Sequence, residues 1–105
     1  MIKLSAIRLN PTIKEGDLLR LVYDKTIINS DARVDIIRKG SILRVSEIPV
    51  NSGKVFVHAM IRLEDLETGE RYWMTYENLK CQINKGLFIK LSKKEADKLL
   101  PMYSL

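Results

Sequence analysis

The chain is expected to form a mainly β domain with a C-terminal helix, on three observations. Val55, Val57, Ala59, Ile61 and Leu63 fall on alternate positions, the period of a strand with one buried face. Gly16, Gly40, Gly53, Gly69 and Gly86 stand singly between apolar runs, where turns join extended segments. Ser92-Lys93-Lys94-Glu95 has the spacing of a helix capping box. A length of 105 residues suits one domain, 1–105, with its β core over about 12–91 and the helix over about 93–100.

Residues 1–9 read as an opening strand with Ile2 and Leu4 on one face. It ends at Asn10-Pro11, because proline cannot donate to a ladder and keeps its predecessor extended. Residues 12–21 and 36–45 then resemble each other at a spacing of 24, Gly16 falling on Gly40 and Arg20 on Arg44. Each reads as a glycine turn entering a strand, with Leu19 and Leu21, or Leu43 and Val45, inward and the arginine outward. Between them, Tyr23–Ile37 reads as a hairpin-like loop around Asn29-Ser30-Asp31-Ala32. A helix over Asp31–Lys39, capped by Ser30 and ended by Gly40, is the competing assignment. The hairpin is preferred because Val34, Asp35, Ile36, Ile37 and Gly40 are poor helix formers.

Pro49–Gly53 turns the chain into residues 54–64, read as one strand with Phe56, His58, Met60, Arg62 and Glu64 on its second face. Glu67-Thr68-Gly69 closes a hairpin onto Tyr72-Trp73-Met74, and one of Tyr72 and Trp73 must point inward. Thr75–Leu79 is expected to make a single helical turn, and Lys80–Ile83 to return to extended backbone. After Asn84-Lys85-Gly86, the residues Leu87, Ile89 and Leu91 alternate with Phe88 and Lys90. The final helix carries Ala96, Leu99 and Leu100 on one face and is expected to stop before Pro101.

Composition bounds the function. With 46% apolar and 30% charged residues the chain belongs with globular proteins, not disordered ones. No apolar run approaches the roughly 20 residues of a membrane span, so no membrane association is expected. Charges every few residues at the N-terminus exclude a signal-peptide core. A single cysteine excludes an internal disulfide, and a cytoplasmic protein is expected. The wealth of Ile, Lys and Asn points to an AT-rich coding genome, that of a low-GC bacterium or a phage.

One His and one Cys cannot build a four-ligand zinc site within the chain. Cys81 is read as a small core residue and His58 as a partly exposed strand residue. The isolated glycines form no phosphate loop. Glu64, Asp65, Glu67 and Glu70, strung along a hairpin, read as a solvated tip, not a cation site. With no catalytic constellation, metal or cofactor motif, a non-enzyme is expected.

The net charge is +5, but residues 64–78 carry −4 between two segments of +4. A basic balance favours acidic partners, above all nucleic acid. Arg20, Arg38, Lys39, Arg44 and Arg62 are the candidate phosphate contacts, with Lys90 also on a strand. Arg71, Trp73 and Tyr76 cluster after the hairpin, where exposed rings would stack on bases. The rival reading is a protein–protein module, such as a phage or accessory factor that modulates a host complex. For it the acidic hairpin and the basic surfaces are two complementary faces.

Lys14-Glu15-Gly16-Asp17-Leu18-Leu19-Arg20-Leu21-Val22 resembles the Gly-Asp-x-Val-x-Val opening of SH3-like and KOW-type barrels. Tyr72–Leu79 resembles their fourth strand, 3₁₀ turn and final strand. The resemblance spans about Ile13 to Ile83 and implies a small barrel of five to seven strands, here with an added C-terminal helix. The second KOW glycine is missing from Tyr23-Asp24-Lys25-Thr26. The aromatic pair of peptide-binding SH3 loops is absent too, so proline-rich ligands are not implied. Such barrels host many functions, and the step to nucleic acid is by analogy.

Overall fold

The structure is a computed structural model, and it describes residues 8–9, 13–28, 31–50 and 53–103. Ile2, Leu4 and Asn10-Pro11 lie outside the described residues, as do Asn29 and Ser30. The elements run β1 (Arg8–Leu9), β2 (Leu18–Leu21), β3 (Lys25–Ile28), β4 (Val34–Ile37), β5 (Ile42–Glu47), β6 (Val55–Phe56), β7 (Met60–Asp65), β8 (Arg71–Thr75), α1 (Tyr76–Asn84), β9 (Phe88–Lys90) and α2 (Lys93–Tyr103). The fold is mainly β, as expected. An antiparallel sheet of order β8-β7-β5-β2-β9 forms its centre and is open rather than closed. The pairs β3–β4 and β1–β6 lie outside that sheet.

Strand alternation gives the central sheet an inner and an outer face. Leu19, Leu21, Leu43, Val45, Ile61, Leu63, Tyr72, Met74 and Phe88 face inward and are buried with Ile27 and Ile37 of the β3–β4 hairpin. Tyr76 and Leu79 of α1 complete this core. On the outer face Leu18 and Ile42 are covered, with Leu91, by Ala96, Leu99 and Leu100 of α2. The helix thus seals one end of the outer face and leaves the β5–β7–β8 end open.

The internal similarity has a geometric meaning. Leu19 lies opposite Leu43, with Leu18 opposite Arg44 and Arg20 opposite Ile42, so β2 and β5 are direct antiparallel neighbours. The Gly16 amide donates to the Val45 carbonyl at 2.7 Å, and the Gly40 amide donates to the Leu21 carbonyl at 2.8 Å. Val45 donates to Asp17 at 2.9 Å and Leu21 to Ser41 at 3.0 Å, the same relation again. Two copies of one turn-and-strand unit therefore face each other across a local pseudo-twofold axis.

Gly16 and Gly40 have φ of 92° and 90°, and a Cβ at either would meet nothing within 4 Å. Alanine at either position should therefore cost only backbone strain, about 1–2 kcal/mol. The two costs should match in urea denaturation, and a cost at only one site would contradict the equivalence.

The hairpin reading of Tyr23–Ile37 holds: β3 and β4 pair antiparallel from Lys25–Ile37 to Ile28–Val34. Residues 54–64 do not form one strand. They break at Val57 and His58, and this break receives the start of α1: Glu77 donates to the Val57 carbonyl at 2.9 Å and Tyr76 to that of Ala59 at 2.8 Å. These are amides that a helix N-terminus cannot satisfy internally. Thr75 caps the same end, its hydroxyl accepting from the Asn78 amide at 3.2 Å.

Lys80–Ile83 continues this helix instead of forming a strand. Tyr76, Leu79 and Ile83 follow helical spacing onto the core, and Cys81, on another side, is exposed. The expectation of a core cysteine is thereby corrected. In β9 it is Phe88 that is buried and Ile89 that is exposed, because Phe88 lies opposite inward-facing Leu21. The capping box forms, with Glu95 donating its amide to the Ser92 hydroxyl at 3.2 Å. The helix nevertheless runs through Pro101 to Tyr103. A proline this close to the end removes one hydrogen bond, to the carbonyl of exposed Asp97. No described helix is long and apolar enough to cross a membrane.

Candidate nucleic-acid interface

Cross-strand register decides which of the basic residues meet. Arg44 of β5 lies opposite Glu64 of β7, which lies opposite Arg71 of β8. The next row runs from Glu47 through Arg62 to Trp73. Alternation puts five of them on the outer face, at the end that α2 leaves open, and the register irregularity between Val45 and Glu47 brings Glu47 there as well. Directly opposed side chains sit close enough to interact, and they do. Arg44 pairs with Glu64, whose second oxygen is 3.9 Å from Arg71. Arg62 pairs with Glu47 at 3.3 Å, and its guanidinium lies 4.4 Å from the Trp73 ring centroid. Arg62 Nε is buried with no hydrogen-bond partner among the described residues, on a guanidinium that sits over the indole.

Trp73 is half-buried and turned outward, while Tyr72 is buried, which decides between them. The patch is thus an indole flanked by three arginines and two carboxylates. Those carboxylates hold the arginines in fixed positions and neutralise part of their charge. Phosphate oxygens would have to replace them as partners of the guanidinium groups.

The other candidates lie elsewhere. Arg20 shares the outer face, but Leu18 and Ile42, covered by α2, separate it from the patch. Arg38 and Lys39 occupy the β4–β5 turn, where Arg38 pairs with Asp24 at 3.7 Å and the Lys39 amide donates to the same carboxylate. Lys90 reaches Asp17 at 3.4 Å on the far edge. Tyr76 is fully buried, so its ring cannot stack on a base. Reading the sequence alone put Glu64 on the face of Arg62 but took it for part of a solvated hairpin tip, and it missed Glu47, which only register brings there.

On the inner side of β8, burial pushes the Tyr72 hydroxyl up to about 12, with Asp35, Asp65 and Glu70 adding to the rise. The sign follows from the neutral form being favoured in the fold. This contribution is fully present below pH 10 and is lost as pH rises from 10 toward 12. Two units correspond to about 3 kcal/mol. Tyr72→Phe should remove this alkaline loss, read as the difference between the two urea stability curves above pH 10.

Among the described residues no group of three or more His, Cys, Asp or Glu is placed to hold a metal ion. His58 lies 3.8 Å from Glu77 on the surface. Comparison of the chain with protein-family models, with curated proteins and with solved structures gave no match.

Proposed function

We propose that the protein is a non-catalytic binding protein that contacts nucleic acid, or a nucleoprotein complex, through the open end of its outer sheet face. The observation that carries this reading is the placing of Trp73 outward between Arg44, Arg62 and Arg71. A ring for base stacking beside cations for phosphates is the combination by which small β domains hold single strands. The net charge of +5 supports it by favouring encounter with a polyanion. The likeness of Lys14–Val22 and Tyr72–Leu79 to SH3-like and KOW-type barrels belongs to the same proposal, as does a cytoplasmic setting.

An electrophoretic shift assay with single-stranded and duplex oligonucleotides at low salt tests it. Binding that weakens as salt rises is expected, and no shift at tens of micromolar protein would overturn the reading.

A protein–protein role is the second reading, and one observation favours it. Val34 and Ile36 on the β3–β4 hairpin are 72% and 51% exposed, an apolar pair outside the central sheet. Retention of protein partners from nuclease-treated lysate, together with failure of the shift assay, would favour it over the first.

A further inference from the structure

The β3–β4 hairpin is a two-stranded sheet, so among the described residues β4 pairs with β3 alone. Its other edge is marked by the Ile36 amide, which donates to the carboxylate of its own neighbour, Asp35, at 2.9 Å. That N–H therefore points away from β3. Backbone groups of an antiparallel strand alternate between its two edges, so Val34 turns its N–H and C=O the same way. Val34 and Ile36 are also exposed apolar side chains. An edge of this kind, apolar and capped only by a side chain, is a template for another strand.

The order of charges along the edge decides which strand fits. A second copy would add through an isologous contact, each β4 meeting the other about a twofold axis. Edge groups match only where Val34 and Ile36, or residues in step with them, lie opposite one another, so the axis passes through a single residue. With the axis at residue 33, Arg33 faces Arg33. At 35, Asp35 faces Asp35, and at 36, Arg33 faces Lys39. Like charges directly opposite destabilise a ladder. With the axis at Val34, Arg33 of each copy faces Asp35 of the other, and Val34 meets its own counterpart.

We infer that the protein pairs with a second copy of itself through β4 in this last register. Asp35 keeps one oxygen for the Ile36 amide and offers the other to Arg33 of the second copy. Arg33 leaves Asp31, its partner at 3.5 Å, in a pair whose two members are well exposed and so weakly held. Ala32, with φ of 62°, turns the chain just ahead of Arg33 and confines the ladder to a few residues. The dimer is therefore weak, with a dissociation constant on the order of 10⁻⁴ M. Arg33, Val34 and Asp35 stand outside the Arg44–Trp73 patch, so this pairing and nucleic-acid binding succeed or fail independently. It gives the protein–protein reading a definite partner, yet a monomeric chain that still retained lysate proteins would overturn the self-pairing alone.

Sedimentation equilibrium of the full chain at low salt, from about 10 µM to about 1 mM, tests it. The weight-average mass should climb with concentration from that of one chain toward that of two. Arg33→Asp alone and Asp35→Arg alone should each hold the protein monomeric, since each sets like charges opposite. The two changes together restore an opposite pair with its ends exchanged and should bring the dimer back. Val34→Lys, on the axis, should abolish it. Far-UV circular dichroism should match the parent chain throughout, because none of the three residues belongs to the buried core. Three outcomes would overturn the proposal. These are a monomer at every concentration, single reversals that leave the association intact, or a folded combined variant that stays monomeric.

Discussion

Replacing Tyr76 by alanine should destabilise the chain by about 3–5 kcal/mol, the cost of deleting a fully buried aromatic ring. The ring is 0% exposed and anchors the first turn of α1 against the core. Domains of this size hold about 5–15 kcal/mol in all, so the variant should be largely unfolded or unfold at far lower urea. Circular dichroism against urea reads the loss. Trp73→Ala, by contrast, removes a half-buried ring on the outer face and should cost much less. If the two variants behaved alike, the assignment of Tyr76 to the core and Trp73 to the surface would fail. The pair also separates folding from binding, since only Trp73→Ala should reduce nucleic-acid affinity in a folded protein, by about 1–3 kcal/mol for one stacked base.

The second large effect concerns charge. Arg44→Gln, Arg62→Gln and Arg71→Gln combined should abolish oligonucleotide binding or weaken it by well over tenfold. They should also reduce the salt slope by about 0.7 per arginine on single strands and about 0.9 on duplex. The opposite change, Glu47→Gln with Glu64→Gln, should strengthen binding, because both carboxylates compete with phosphates for the same guanidinium groups. Fluorescence anisotropy across a salt series reads both. Arg38→Gln and Lys39→Gln, at the β4–β5 turn, should leave the slope nearly unchanged. A fall in slope with the turn variants and none with the sheet variants would move the interface away from Trp73.

What could be read from the residues alone was whatever local chemistry dictates. The glycine turns at Gly16 and Gly40 and the Ser92–Glu95 cap are set within a few residues, so spacing was enough to find them. Phe88 was different: Leu87, Phe88 and Ile89 are all apolar, so hydrophobicity cannot choose a face, and pairing with Leu21 makes the choice. Lys80–Ile83 is too short a run to separate period 2 from period 3.6. The deciding fact is that Tyr76, Leu79 and Ile83 bury together against strands distant in sequence. The candidate interface follows the same rule. The outward alternation of Arg44 and Arg62 was legible, but their pairing with Glu64 and Glu47 depends on the register of β5 and β7. That register includes an irregularity between Val45 and Glu47, which residue patterns do not announce.

The place of β2 in the sheet has a consequence for how the chain is made. One edge of β2 pairs with β5, but the other pairs with β9, Arg20 lying opposite Ile89. During synthesis β2 leaves the ribosome well ahead of its second partner. Until Phe88 to Lys90 arrive, an apolar strand of Leu18, Leu19 and Leu21 keeps one row of amides and carbonyls open. Such a row is a template for pairing with another nascent copy. The last strand of the sheet therefore closes an edge that the first has held open, and α2, which follows at once, covers the Leu18 side of the same seam.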